Sequence, residues 1–329
     1  MSQPACRLLA GVDIGGTKIL GIALDPADPT TVVDEARAPT PDGETAVLDA
    51  IAGVVRELGD RAGPGGVAAV GVGIAGLVER SGVLRMGPNL PGLMDVNVGA
   101  ELERRLALPI RVDNDATCAA WGEHLGGAAR GVTDAVCVTL GTGIGAGIVA
   151  ENELVRGAHG FAGEAGHMVV DPRGPLCPCG RRGCWERFAS GSGLGWLGRE
   201  AAEAGLFRRG IELAGGVAEF VRGEHVTQAA AEGDSEALAV VETFAEWVAL
   251  GVANLVTVLD SELVVIGGGL IEVGELLMEP VRRSFARQVM APEARRDVRV
   301  VAAQLGERAG AIGAALLGGR EAADAAARG

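Results

Sequence analysis

LLAGVDIGGTKILGIAL, running from Leu8 to Leu24, reads as two strands folded about a glycine turn at Gly15–Gly16. Apolar and β-branched residues recur on both sides of the turn, as strands require. A glycine turn between strands lets backbone amides approach phosphate oxygens with no side chain in the way. Asp13 precedes the glycines by one strand residue, where a carboxylate can hold Mg²⁺ through water, and Thr17 offers a hydroxyl. The same design returns at Ala135–Val149, AVCVTLGTGIGAGIV, with Gly141-Thr142-Gly143 as the turn. One such hairpin needs no ligand to form. Two of them, each opening a series of strands and helices, read as an internal duplication built around a nucleotide. The expectation is an α/β chain of two similar lobes with a cleft between them.

The flanking segments fill in that plan. Val47, Ile51, Val54, Val55 and Leu58 stand at helical spacing in Thr45–Leu58. Val67–Val78 reads as a strand, Leu102–Leu106 lies in a short helix, and a strand follows at Pro109–Val112. Asp113-Asn114-Asp115 opens a helix that runs to Leu125 and closes at Gly126–Gly127. Ser235–Leu259 is apolar nearly all round, which predicts a buried helix. It feeds a strand and glycine turn at Leu263–Gly269, then a strand at Val298–Ala302 and a last helix at Arg308–Leu317.

At 329 residues the chain is long enough for two domains, and 48% hydrophobic with 22% charged residues is an ordinary globular composition. The formal net charge of -14 and pI near 4.8 disfavour nucleic acid and anionic membrane as partners. Lys18 is the sole lysine. Met1–Leu9 has no apolar core of signal-peptide length, and glycines interrupt the apolar stretches, so a cytoplasmic location is expected. Gly71–Gly76 spells a dinucleotide fingerprint and Gly141–Ala146 its Ala-ending variant. Both lead into strand patterns rather than the helix such a turn must open. Gly11–Lys18 fails as a Walker loop because its order is Gly16-Thr17-Lys18.

His167, Cys177, Cys179 and Cys184 form a second constellation, with CPCGRRGC as its local sequence. Three thiolates and one imidazole make a closed tetrahedral set that suits structural Zn²⁺ and leaves no open position for catalysis. The metal would pin the loop that carries Glu164, His167 and Glu186. His124, His159 and His225 lack such company; Cys118 and Cys137 read as small core residues and Cys6 as an exposed terminus. Asp115 reads in two ways: as a helix N-cap, or as a carboxylate whose anion the helix dipole favours for catalysis.

With these pieces assembled, the chain resembles the ROK family of sugar kinases, within the hexokinase–actin superfamily. The resemblance rests on Asp13–Thr17, Pro88-Asn89-Leu90, Asp113–Asp115, Leu140–Gly145, Gly163–His167, the cysteine knuckle ending at Glu186, and Val265–Gly269, in the family's order. It implies a two-lobed actin/hexokinase-like (ribonuclease H-like) fold with a duplicated β-hairpin phosphate-binding core. Residues 1–115 would form the small lobe, with residues 308–329 packing back on it. Residues 116–307 would form the large lobe, with the zinc knuckle at 167–184. The resemblance further implies ATP-dependent phosphorylation of glucose at its 6-hydroxyl, or of another hexose such as N-acetylmannosamine or N-acetylglucosamine. Asp13, Gly15, Gly16, Thr17 and Lys18 would form the first phosphate loop, Gly141, Thr142 and Gly143 the second, and Gly267 and Gly268 would lie near the adenosine. Asn89, Asn114, Asp115, Glu164, His167 and Glu186 would grip the sugar, Asp115 taking the proton, with ATP, Mg²⁺ and structural Zn²⁺ bound. A homodimer or homotetramer is implied. Leu93 departs from the tryptophan that many family glucokinases carry there. Part of the family represses transcription through a helix-turn-helix domain, but only twelve residues precede Asp13 here.

Overall fold

The computed structural model describes residues 7–90 and 92–328; Cys6 lies outside them. The N-terminal hairpin forms as β1 (Leu8–Ile14) and β2 (Lys18–Asp25), followed by β3 (Asp28–Pro39) and helix α1 (Glu44–Arg61). The expected strand Val67–Val78 breaks at Ala75–Gly76 into β4 (Val67–Ile74) and β5 (Leu77–Val78), and β5 joins β6 (Val83–Met86) and β7 (Val96–Asn97) in a small sheet. Helix α2 (Val98–Leu106), β8 (Ile110–Asn114) and α3 (Asp115–Gly126) complete this series. The second hairpin is β9 (Ala135–Leu140) and β10 (Ile144–Ala150), with β11 (Glu153–Leu154) after it. Helices α4 (Glu186–Ala189), α5 (Gly191–Glu203), α6 (Arg208–Leu213), α7 (Gly223–Ala231) and α8 (Ser235–Leu259) follow. The chain ends with β12 (Leu263–Gly267), α9 (Glu275–Gln288), β13 (Arg299–Ala302) and α10 (Ala309–Arg328).

Two five-stranded sheets repeat one topology, β3-β2-β1-β4-β8 and β11-β10-β9-β12-β13. In the first, β1 runs antiparallel to β2 and parallel to β4, and β4 runs parallel to β8. The register sets Asp13, Gly73 and Asp113 side by side at the carboxyl ends of three parallel strands. Ligands of open α/β sheets collect at such ends. Period-2 alternation divides the faces. Ile19 and Ala23 of β2 join Ile51, Val55 and Leu58 of α1 in one core, while Leu20, Ile22 and Leu24 meet Ala311, Ile312 and Ala315 of α10. Helix α10 lies so close that a Cβ on Gly71 would sit 1.6 Å from Ala314 O, and one on Gly11 1.9 Å from Ala311 O. Only glycine leaves room for that approach.

By packing, the chain forms two compact units: residues up to Thr133 with Gly147–Gly163 and Gln304 onward, and Asp134–Ala146 with Glu164–Ala303. Helix α8 is long and apolar enough to cross a membrane by length and composition, yet 61% of its most apolar window is buried. It is not buried all round, as the sequence suggested. Glu242, Thr243, Glu246, Asn254, Thr257 and Val258 form an exposed stripe, because α8 has core on one side only.

Candidate active site and metal cluster

In the first unit, β8 hands over to α3 at Asn114, and Asn114 is the N-cap. Its Oδ1 accepts the Thr117 N–H at 3.0 Å, while its Nδ2 donates to Gly76 O at 3.1 Å. The ambiguity over Asp115 thereby resolves against capping: as the first helical residue it accepts the adjacent Ala116 N–H, at 2.9 Å, while the Thr117 N–H goes to Asn114. Its carboxylate is half-buried, and burial raises its pKa against the opposing hydrogen bonds from Ala116, its own N–H and Asn114. Desolvation therefore works against the stabilisation that a helix N-terminus gives an anion.

Asp13, at the end of β1, is pushed up to about 7, first by burial and then by the negative charge of Asp115, against Lys18 and the Ile14 N–H. The first turn of α10 lies over it: a Cβ on Gly310 would stand 2.8 Å from Asp13 Cγ. The Gly15–Gly16 turn closes through Gly15 N–H on Lys18 O at 3.0 Å, and Thr40 Oγ1 fixes it by donating to Gly15 O at 2.7 Å. Thr40 had no sequence signal, since it acts from beyond an unanticipated strand. A Cβ on Gly16 would meet Asn89 Cβ and O at 3.0 Å each, so the Asn89 turn lies against the glycine turn. Lys18 points to solvent and pairs with Glu307 at 2.9 Å.

In the second unit, Gly141 N–H donates to Gly143 O at 3.0 Å. The first turn of α5 grips this glycine turn: Gly191 N–H donates to Gly141 O at 2.8 Å and Ser192 Oγ to Thr142 O at 3.0 Å. Gly268, with φ 88°, follows β12 directly, and a Cβ there would lie 2.4 Å from Leu140 O. The Gly141 and Gly268 turns are thus neighbours at the ends of adjacent strands. Both dinucleotide lookalikes run from strand to strand, with no helix at the turn.

One ligand atom from each of His167, Cys177, Cys179 and Cys184 lies within 4.8 Å of the others. Cys177 Sγ is 3.7 Å from His167 Nδ1, and Cys179 Sγ is 3.5 Å from Cys184 Sγ. A tetrahedral zinc, with bonds of about 2.0 Å to nitrogen and 2.3 Å to sulfur, spaces its ligands by about 3.5–3.8 Å. The donor set fits zinc, with Nδ1 as the histidine ligand. His167 Nε2 stands 3.9 Å from Glu164 Oε2. Glu186 Oε1 is 3.1 Å from Cys177 Sγ, and its Oε2 would be 2.9 Å from a Cβ on Gly143. One carboxylate therefore touches both the cysteine cluster and the second glycine turn. Between Cys184 and Glu186, Trp185 is fully buried, and its Nε1 donates to Trp247 O of α8 at 2.7 Å.

The first unit thus gathers Asp13, Gly15, Gly16, Asn89, Asn114 and Asp115, and the second gathers the Gly141 and Gly268 turns, Glu164, His167, Glu186 and the thiols. A sequence model of the ROK family matches residues 9–321. The chain belongs to the ROK family. This ROK chain is 39% identical over 301 residues to a glucokinase of Streptomyces coelicolor, covering 91% of this chain and 93% of that one. It is 34% identical over 309 residues to an N-acetylmannosamine kinase of Shigella flexneri, covering 90% and 97%. The crystal structure of a ROK family glucokinase from Streptomyces griseus, in complex with glucose and AMPPNP, matches with a TM-score of 0.83 at 38% identity, over 95% of this chain and 99% of that one.

Proposed function

We propose that this ROK chain is a hexose kinase that transfers the γ-phosphoryl group of ATP to the 6-hydroxyl of glucose, with Asp115 as general base. The observation that carries the reading is the likeness, over 95% of the chain, to a glucokinase that holds glucose and AMPPNP.

Phosphoryl transfer passes through a loose transition state, so positioning and charge neutralisation do most of the work. Asp115 needs only to accept a hydroxyl proton late, and burial makes its carboxylate a stronger acceptor than a solvated one. Asn114 spends Oδ1 on its cap and Nδ2 on Gly76 and on Asp115, so it holds the base at the start of α3. Asn89, Glu164, His167 Nε2 and Glu186 supply further partners for hydroxyls. The Gly15–Gly16 and Gly141–Gly143 turns offer amides to phosphate oxygens, with Thr17, Lys18 and Thr142 beside them, and Gly267–Gly268 flank the adenosine. Mg²⁺ would supply positive charge to the phosphates, and Asp13 would be the carboxylate that holds it. A zinc held by His167, Cys177, Cys179 and Cys184 would be a structural cross-link.

The relative that phosphorylates N-acetylmannosamine favours a second acceptor reading. Coupled ADP release with glucose, mannose, fructose, N-acetylmannosamine and N-acetylglucosamine decides between them. Glucose is expected to give the highest kcat/KM; a higher value for an N-acetylated sugar overturns the acceptor assignment.

A further inference from the structure

Asp113 stands immediately before the Asn114–Asp115 pair and is 4% exposed. Its Oδ2 accepts from Arg156 Nε at 2.6 Å, and Arg111 Nη2 stands 3.6 Å from the same oxygen. Its Oδ1 accepts the Asn114 N–H at 3.0 Å. Both carboxylate oxygens are therefore committed at the residue where β8 gives way to α3. Arg111 is also 3.6 Å from Glu321, so it is drawn between two partners and Arg156 makes the closer contact.

Arg156 lies in the segment after β11, braced by the Ala162 N–H donating to its carbonyl at 3.2 Å. Its side chain reaches a residue 43 positions earlier in the chain. A buried ion pair is a weak source of stability, and apolar residues of like volume often replace one without loss. What a short charge-assisted bond does supply is a fixed direction. Asp113 also aligns in register with Gly73, and Gly73 with Asp13, so the strand ends around Asp115 hold further carboxylates. The Arg156 guanidinium offsets one of these charges.

We propose that Arg156 is a positioning residue for Asp115: through Asp113 it fixes how the chain leaves β8, and with it the aim of the Asp115 carboxylate. This rests on the reading of Asp115 as the base.

The test compares Arg156→Met, Arg156→Lys and the uncharged pair Asp113→Asn with Arg156→Met, each for Tm and for turnover at saturating glucose and ATP. Arg156→Met is expected to lower kcat about 10- to 100-fold, the cost of misplacing a reacting group by about an ångström, with glucose KM changed by less than about threefold. Arg156→Lys regains most of the loss, while the uncharged pair regains Tm but not kcat. On an Asp115→Asn background, Arg156→Met costs less than about threefold of the residual turnover, because the group it aims is gone. Wild-type kcat in Arg156→Met overturns the proposal. So does recovery of kcat in step with Tm in the uncharged pair, or a full additional loss on the Asp115→Asn background. Wild-type turnover in Asp115→Asn alone removes the base itself, and the positioning role with it, which separates the two failures.

Discussion

At the scale of single residues, the buried Asp13 carboxylate makes the stability of the first unit depend on pH. Without Mg²⁺, Asp13 keeps its proton to about pH 7 in the folded chain, against 3.8 as its ordinary value. Between those values the native state binds more protons than the unfolded one, so Asp13's contribution to stability falls as pH rises from about 4 to about 7 and stays low above. Asp13→Asn removes that loss. The Tm of the variant relative to wild type should therefore be about 2–5 °C higher at pH 8 than at pH 5, while turnover drops. An equal Tm difference at both pH values would contradict the burial of this carboxylate. Asn114 and Asp115 show where sequence reasoning stopped at this scale. Both residue types cap helices, and which of two neighbours turns inward depends on Gly76, a partner distant in sequence.

Among elements, the cysteine knuckle depends on α8. A Cβ on Gly251 would lie 1.9 Å from Trp185 Cε2, so Gly251→Ala must displace the ring that anchors Cys184 and Glu186. Overpacking of this kind costs about 1–3 kcal/mol. The wild-type protein should carry one zinc per chain by atomic absorption. Gly251→Ala should lose it to a chelator faster, with glucose KM rising more than ATP KM; unchanged zinc retention would sever the knuckle from α8. The hairpins were legible because a period-2 apolar pattern brackets each glycine turn. β3 was not: its segment DPTTVVDEARAP is polar and carries prolines near both ends, and as an edge strand it pairs, among the described residues, only with β2 and leaves Val33 exposed. Helix α5 was missed for a different reason. Its glycines look like breakers, yet a Cβ on Gly198 would meet Val226 Cγ2 at 2.7 Å, so they let α7 pack closely against it.

For the whole molecule, the repeated sheet order explains why a reading of two short glycine turns extended to the full fold. Each turn ends a hairpin whose first strand is the third in a five-stranded sheet. The seven motifs reached the family, and relatives matching nine-tenths of the chain bear that out. The chosen sugar is less legible, because hydroxyl-binding side chains of the same types can serve several hexoses. Asp115 is the residue on which the proposed phosphoryl transfer depends. ADP release with saturating glucose and ATP should fall about 1,000-fold or more in Asp115→Asn, for a base worth 10²–10⁴ whose loss also disturbs the sugar, with the variant folded by circular dichroism. Turnover within about threefold of wild type in that variant would contradict it.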